Sequence, residues 1–231
     1  MIKLLLIEDD KDLSYIVKSG LEELIGGYIV DLAENGIVGL ERFKIFEPDV
    51  VVSDIEMPVL NGLEMTKKIR QTNSDVPIIF ATGKIAPKDV TAGYEVGADN
   101  YIKKPFSPDE LDAHVRKLLN LKQNSRLRLK NAVHKIGKYT FEPKKFTLTY
   151  DDSEKKMLTA RESQILEMLL EKKGEIVKRE DILEAFWGKH DTIFASRSLD
   201  VFITKLRKYL SKDASVSITN VKMTGLILEF P

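Results

Sequence analysis

The chain has 231 residues, 43% of them hydrophobic and 31% charged, a composition that predicts one or two globular domains with a sizeable core. It contains no cysteine, which excludes disulfides and thiolate metal sites, and its three histidines, His114, His134 and His190, lack a metal-ligand spacing. No apolar run reaches the roughly 18 residues of a membrane span, and acids interrupt the first ten residues, so we expect a cytoplasmic protein without a membrane partner.

The formal net charge is zero, but the charges are unevenly distributed along the chain. Residues 1–120 contain 14 basic and 21 acidic side chains, whereas residues 121–231 contain 22 basic and 15 acidic side chains. A basic half is a hint of nucleic-acid binding, although a well-solvated surface gives the same count.

Five apolar runs alternate with helical spacing in the acidic half. The predicted strands are residues 2–7, 28–33, 49–53, 76–81 and 100–102. The predicted helices between and after them carry apolar stripes such as Leu13, Ile16, Val17, Leu21 and Leu24, and Leu111, Val115, Leu118 and Leu119. This alternation predicts an α/β fold in which helices cover both faces of a doubly wound, five-stranded parallel sheet.

Polar residues follow four of the five predicted strands. They are Glu8, Asp9 and Asp10 after the first strand, Asp54 at the end of the third, Thr82 after the fourth, and Lys104 with Pro105 after the fifth. Because ligands of parallel sheets bind at the carboxyl ends of the strands, we expect these groups to converge. Carboxylates there suit Mg²⁺, and Asp54 is then a candidate nucleophile towards phosphorus, with Thr82 and Lys104 bound to phosphoryl oxygens. Any one of these residues alone is better explained as a loop cap, but the whole set in this order is not.

Four segments, LLLIEDD, VVVSDIEMPVLNG, PIIFATG and GADNYIKKPFSP, resemble the receiver domain of two-component response regulators and span nearly all of the first 120 residues. The resemblance implies a flavodoxin-like domain whose Asp54 accepts a phosphoryl group from a cognate sensor histidine kinase. It further implies the following roles: Asp9 and Asp54 as direct Mg²⁺ ligands, Glu8 as a ligand through water, the backbone carbonyl of Glu56 as another ligand, Tyr101 as a switch aromatic, and a cis Lys104–Pro105 bond.

Phosphorylation adds about −1.5 to −2 charge and three acceptor oxygens, onto which Thr82 and Lys104 can close. As Thr82 moves, Tyr101 can rotate inward and change the face formed by residues 87–120. We therefore expect this face to carry the signal.

The segment after the receiver begins as a continuation of the helix that follows Ser107. It then loses its apolar spacing and gains basic residues. We predict a receiver at residues 1–121, a linker at 122–135 and a second domain at 136–231.

The basic half opens with short alternating segments, which predict a small antiparallel sheet. Three helix patterns follow, and the first begins at Thr159, which forms a capping box with Glu162. The third helix carries an apolar stripe formed by Leu199, Phe202, Ile203, Leu206 and Leu210. A final hairpin is predicted to bend near residues 223–225, so the whole describes a smaller α+β winged-helix domain.

The segments LTARESQILEMLLEKKGEIVKREDILEAFWG and SRSLDVFITKLRKYL resemble the effector domain of the OmpR/PhoB transcription factors. The resemblance implies binding to double-stranded DNA through five residues of the third helix: Arg197, Val201, Thr204, Lys205 and Arg207. It also implies a basic contact from the wing by Lys222. Trp187 falls in the inter-helix loop, which in this family contacts the DNA backbone or RNA polymerase.

The sequence departs from the family pattern in two places. The wing, VKMTGLILEF, keeps one glycine and has Leu226 in place of the usual aromatic residue. The positions that usually carry charges on the dimer face hold Val90, Val96, Asn100, His114 and Leu121, while Glu110 is kept. We therefore expect a homodimer, formed on phosphorylation, that is held more by apolar contacts than by salt bridges.

The sequence thus predicts a phosphorylation-controlled DNA-binding transcriptional regulator and not an enzyme. One alternative is a DNA-binding regulator that is insensitive to phosphorylation, because the wing and the dimer face are both atypical. Another is a Mg²⁺-dependent phosphatase, but those enzymes place the nucleophile after the first strand, where this chain has Glu8 and Asp9.

Overall fold

The computed structural model describes residues 1–83, 86–128, 133–188 and 192–231; for residues 121–128 and 192–194 it describes the backbone alone. The chain divides into two units, Met1–Asn120 and Leu121–Pro231. None of the helices in the described ranges combines the length and the apolar composition needed to cross a membrane.

The first unit is built on a parallel sheet of five strands in the order β2-β1-β3-β4-β5. The strands are β1 (Ile2–Ile7), β2 (Tyr28–Ala33), β3 (Val50–Ser53), β4 (Ile78–Thr82) and β5 (Asn100–Lys103). The helices are α1 (Lys11–Ser19), α2 (Gly36–Phe46), α3 (Gly62–Thr72), α4 (Pro87–Val96) and α5 (Pro108–Arg128). The predicted doubly wound sheet is confirmed.

Both faces of this sheet are buried, because successive side chains of a strand point to opposite faces. Leu4 and Leu6 of β1 belong to a cluster with Val17 of α1 and with buried residues of α5. Leu5 and Ile7 belong to a second cluster with buried side chains of α3. The continuous apolar runs of the sequence are therefore explained by burial on both sides.

Two details of the first unit differ from the sequence prediction. The fourth strand begins at Ile78 and not at residue 76, because Pro77 has no N–H to donate to a strand ladder. After α1 the chain forms a π-helical turn, Gly20–Ile25, whose wider winding shifts the residues that follow around the axis. As a result Leu24, predicted on the apolar face, is 86% exposed. Ile16, which precedes this turn in α1, is also exposed although it was predicted on the same face.

The described part of the second unit contains two antiparallel sheets and, besides the end of α5, three α-helices. The first sheet consists of β6 (His134–Ile136), β7 (Tyr139–Glu142), β8 (Thr147–Tyr150) and β9 (Glu154–Met157). The second, in the order β10-β12-β11, consists of β10 (Val177–Lys178), β11 (Ser217–Val221) and β12 (Gly225–Glu229). The helices are α6 (Ala160–Glu171), α7 (Arg179–Phe186) and α8 (Thr192–Leu210). This is the predicted winged-helix arrangement, with β11 and β12 forming the wing.

Local sequence signals account for the helices of this unit. The predicted capping box is present: the Thr159 hydroxyl accepts the N–H of Glu162, and the Glu162 carboxylate accepts the N–H of Thr159. The predicted apolar stripe of α8 is confirmed, since all five of its members are buried. The helix therefore leaves its other side available to a partner.

The segment predicted as a linker is partly regular structure. α5 continues to Arg128, in keeping with the good helix formers Leu, Lys, Gln and Arg in this stretch, and β6 begins at His134. Residues 129–132 lie outside the described part of the chain.

Candidate functional site

The predicted acidic residues converge at the carboxyl ends of two neighbouring strands. Glu8 and Asp9 directly follow β1, and Asp54 directly follows β3, which is paired with β1. Each of the three offers a carboxylate oxygen, and these oxygens lie within 4.8 Å of one another. The strand order reverses at β1, the point where sheets of this kind bind their ligands.

Asp54 is held firmly by its surroundings. Its Oδ1 accepts the backbone N–H groups of Ile55 at 2.5 Å and Glu56 at 3.2 Å, and its Oδ2 accepts the Lys104 ammonium at 2.6 Å. The residue is 9% exposed, and the main chain fixes the Oδ1 side of its carboxylate.

Lys104 bridges the carboxylates that follow β1 and β3, since its Nζ donates to Glu8 Oε2 at 2.5 Å as well as to Asp54. Burial opposes its charge, but the hydrogen bonds to Asp54 and Glu8 outweigh that effect and raise the pKa of Lys104 above its ordinary value. Burial raises the pKa of Glu8, against the opposing influence of Lys104. The Lys104–Pro105 peptide bond that follows is cis.

The donor set fits a hard divalent cation. Glu8 and Asp54 share the Lys104 ammonium, and the carboxylate of Asp9 lies beside theirs, so negative charge is in excess. The carboxylate oxygens match the ligands that Mg²⁺ prefers. A surface hollow of about 410 Å³ lies beside them, lined in part by Asp9, Glu56 and Asn61. The hollow adjoins the loop that follows Asp54, since Ile55 and Glu56 are among its lining residues.

Thr82 and Tyr101 connect this edge to α4. Thr82 is the buried last residue of β4, and its carbonyl accepts the Lys104 N–H at 3.0 Å. The Tyr101 ring lies inside the domain, with its centroid 5.5 Å from that of Phe80 and 5.1 Å from that of Tyr94. Its hydroxyl donates to the carbonyl of Asp89 in α4 at 3.1 Å, and burial raises its pKa.

Gly93 is a functional candidate that the sequence analysis missed. A Cβ atom at this position would lie 1.7 Å from the Tyr101 hydroxyl oxygen, so any other residue would collide with the inward ring. The signal was available, because a glycine inside a helix costs about 1 kcal/mol relative to alanine and calls for a packing reason.

The expected dimer-face residues are in part wrongly assigned. Val90 is 0% exposed and Asn100 3% exposed, so both belong to the interior of the unit. Asn100 Nδ2 donates to Nδ1 of the half-buried His114 at 2.7 Å. Val96 is half-buried and Glu110 exposed, while the side chain of Leu121 lies outside the described part.

The predicted DNA-facing residues of α8 fall into two groups. Arg197 and Thr204 are exposed and Val201 is half-buried, on the side opposite the apolar stripe. Lys205 instead directs its ammonium to the buried carboxylate of Glu162 in α6. Arg207 donates from Nε to the carbonyl of Ile218 in β11 at 2.7 Å.

The wing presents Lys222 and Met223 at its turn, both exposed. The prediction for Trp187 is wrong. A contact with DNA or polymerase from a loop requires an exposed side chain, but Trp187 is only 5% exposed. Its ring packs 6.0 Å from that of Phe202 and under the guanidinium of Arg161. Large aromatic side chains are favoured core residues, and here that preference prevailed.

Comparisons with known proteins agree with this geometry. Residues 4–116 match the family model described as the response regulator receiver domain, and residues 153–228 match that of the transcriptional regulatory protein C terminal. The phosphatase alternative is set aside, since this family consists of transcriptional regulators.

Similar proteins cover the whole chain. Transcriptional regulatory protein RprY of Bacteroides fragilis is 36% identical over 230 residues, which are 100% of this chain and 95% of that protein. Transcriptional regulatory protein DltR of Streptococcus agalactiae is 33% identical over 229 residues, 99% of each.

Among solved structures, a mutant of RitR has a TM-score of 0.77 at 22% identity, covering 100% of both chains, which is a likeness of fold. The sequence matches decide the family. The chain belongs to the two-component response regulators of the OmpR/PhoB type, phosphorylation-controlled transcription regulators in which a receiver domain precedes a winged-helix DNA-binding domain.

Proposed function

We propose that Asp54 is the phosphoacceptor and that a cognate sensor histidine kinase, or a small phosphodonor, supplies the phosphoryl group. The observation that carries the proposal is the position of Asp54 between two backbone N–H groups and the Lys104 ammonium. A carboxylate aimed in this way is oriented for attack before any reactant arrives.

The transfer forms a bond between an Asp54 carboxylate oxygen and phosphorus and breaks the bond between phosphorus and the donor, a histidine nitrogen in the kinase. Oδ2 adjoins Lys104, so the ammonium can move from the carboxylate to a phosphoryl oxygen as charge builds there. The backbone N–H groups stay on Oδ1 throughout and keep the acyl group in place.

Mg²⁺ would be held by Asp9, Asp54, Glu8 and the backbone carbonyl of Glu56, and when bound it supplies positive charge to the phosphoryl oxygens. The three carboxylates with one ammonium support this assignment. Removing the cation with a chelator should therefore suppress the incorporation of phosphate into the protein.

Thr82 is proposed to donate its hydroxyl to the new phosphoryl group, which links the site to Tyr101 and to the face of residues 87–120. The inward Tyr101 ring, bonded to the Asp89 carbonyl, supports a coupling between β5 and α4. A homodimer formed on phosphorylation would use this face, with Val96 and Glu110 as the remaining candidates from the original set.

Double-stranded DNA is the proposed partner of the second unit, with α8 in the major groove. Arg197, Val201 and Thr204 are the residues we assign to base edges, and Lys222 to a phosphate or the minor groove. Lys205 and Arg207 are assigned to holding α8 in place, given their bonds to Glu162 and Ile218. A contact with RNA polymerase, if made, uses residues other than the buried Trp187. These roles imply a cytoplasmic location, because the protein can bind both DNA and the sensor kinase there.

The test is incorporation of acid-labile phosphate from a phosphohistidine kinase or from acetyl phosphate with Mg²⁺. The native protein should be labelled and Asp54→Asn should not. Asp49→Asn is the matched control, because Asp49 lies at the opposite end of β3, where it accepts the Lys3 N–H. Labelling of Asp54→Asn at the native level would place the acceptor elsewhere.

A regulator insensitive to phosphorylation is the second candidate. The wing, which keeps one glycine and has Leu226 in place of the usual aromatic residue, favours it because it departs from the family pattern. Equal DNA affinity of the native protein with and without phosphodonor would support this candidate over the first.

A further inference from the structure

The tip of the wing carries an apolar side chain at an unfavourable backbone conformation. The turn runs from Val221 to Gly225, closed by the Thr224 N–H donating to the Val221 carbonyl at 3.0 Å. At its apex Met223 has φ 59° and is 99% exposed. Glycine and asparagine adopt this left-handed region more cheaply, so folding alone gives no reason for methionine here.

The wing is fixed against the helices. The Arg179 N–H of α7 donates to the Thr224 carbonyl at 3.1 Å, and Lys178 of β10 pairs with Gly225. On the other strand of the hairpin, Arg207 Nη2 of α8 donates to Asn220 Oδ1 at 3.0 Å. Met223 is therefore held at a fixed position relative to α8 instead of moving on a loose loop.

Arg179 ties the same region to the start of α8. Its Nη2 donates to the Ser196 carbonyl at 2.7 Å and pairs with Asp200 Oδ1 at 2.8 Å. Arg197, the exposed residue assigned to base edges, lies between these two anchor points in the sequence. The wing therefore has a fixed position relative to Arg197, and a partner that binds Arg197 also contacts the wing in a defined geometry.

We propose that Met223 enters the DNA minor groove as an apolar wedge at a base step beside the site contacted by α8. This inference rests on the DNA-binding function proposed above. Methionine is one of the side chains that unstack base steps from the minor groove, and its unbranched chain suits a narrow slot. The exposed ammonium of Lys222 is next to it and can meet a phosphate at the groove edge.

The charge of the unit supports DNA as the occupant. Residues 121–231 have 22 basic against 15 acidic side chains, and a basic surface draws the wing towards a polyanion, not towards an apolar protein surface. Because the cost of unstacking depends on the step, the wedge adds specificity for flexible pyrimidine–purine steps that α8 does not touch.

The experiment uses the full chain and a duplex that the native protein has selected from a random pool, with acetyl phosphate and Mg²⁺ present and salt fixed. 2-Aminopurine is placed in turn at each step flanking the α8 site, since its fluorescence rises on unstacking. We expect a rise at one step with the native protein and with Met223→Leu, and no rise with Met223→Gly, whose affinity falls about tenfold or more.

Met223→Gly has a backbone suited to the turn, so it should unfold at a temperature equal to or above that of the native protein. A loss of DNA affinity in that variant is then not a loss of folding. Lys222→Ala is the second control. It should reduce the slope of the logarithm of DNA affinity against the logarithm of salt concentration by about one, and the fluorescence rise should remain.

Two results separate the claims. In the first, the native protein selects a specific site, and Met223→Gly binds it with native affinity and gives the same fluorescence pattern. This result would overturn the role of Met223 as a wedge and leave the proposed DNA binding intact. Selection of no site by the native protein would overturn both.

Discussion

His114 illustrates how one half-buried side chain makes the stability of the receiver depend on pH. Burial, helped by Lys117, lowers the pKa of His114 below its ordinary value of 6.5. The Asn100 amide donates to Nδ1, which therefore carries a lone pair, so a proton on Nδ1 would set two donors against each other. The Asn100 oxygen already accepts the Tyr101 N–H at 2.9 Å, so a flipped amide loses that bond.

We predict that His114 makes the protein less stable in mild acid. Because its pKa is lower in the folded state, its contribution is complete above pH 6.5 and is lost as the pH falls from 6.5 through the folded value. Urea unfolding of the native protein and of His114→Gln between pH 8 and pH 5 measures this. The two stabilities should diverge with pH only below 6.5, and His134→Gln is the control. Parallel curves would contradict the assignment.

Lys205 and Arg197 are expected to separate stability from DNA binding. Lys205→Ala removes the ammonium from the buried Glu162 carboxylate, which then keeps only neutral donors such as the Thr159 N–H, and should lower the free energy of unfolding by about 3 kcal/mol. Arg197 is exposed, so Arg197→Ala should change stability by less than about 0.5 kcal/mol and weaken specific DNA binding by about 1 to 3 kcal/mol. Chemical unfolding and fluorescence anisotropy with a selected duplex measure the two effects. The reverse pattern would show that Lys205 is the residue that contacts DNA.

At the scale of elements, α4 and β5 meet where Gly93 faces the Tyr101 hydroxyl. A methyl group at Gly93 overlaps that oxygen and must displace the ring, although alanine is the better helix former. We predict that Gly93→Ala lowers the free energy of unfolding by about 1 to 3 kcal/mol when Tyr101 is present.

A double-mutant cycle checks this prediction. In the Tyr101→Ala background, the same change at Gly93 should cost nothing or stabilise the protein, because the clash is gone and only the helical preference remains. Equal effects in both backgrounds would mean that Gly93 and Tyr101 are independent.

The elements show what the sequence can and cannot predict. The stripe of α8, the capping box at Thr159 and the pocket at Asp54 are local patterns or strand ends, and the sequence analysis located all three. Trp187 and Val90 were placed on surfaces, although both are buried, because periodicity and family position do not report what packs against a residue. The π-helical turn at Gly20–Ile25 has no simple sequence signal, so the exposure of Leu24 was missed.

At the scale of the whole molecule, the chain joins an acidic unit that can take up a phosphoryl group to a basic unit suited to DNA. The receiver pocket has three carboxylates and one ammonium, whereas residues 121–231 have a surplus of basic side chains. A reaction that adds negative charge to the first unit is thereby linked to a second unit whose partner is a polyanion. The account requires that phosphate on Asp54 change the affinity for DNA.

The most direct measurement is the affinity of the full-length protein for its selected duplex at fixed salt, with and without acetyl phosphate and Mg²⁺, in the native protein and in Asp54→Asn. Fixed salt is essential because the phosphate contacts alone move affinity by orders of magnitude. We predict that phosphodonor tightens native binding by tenfold or more, about 1.4 kcal/mol, and leaves Asp54→Asn unchanged. Binding by the native protein that is equally tight with and without phosphodonor would contradict the account.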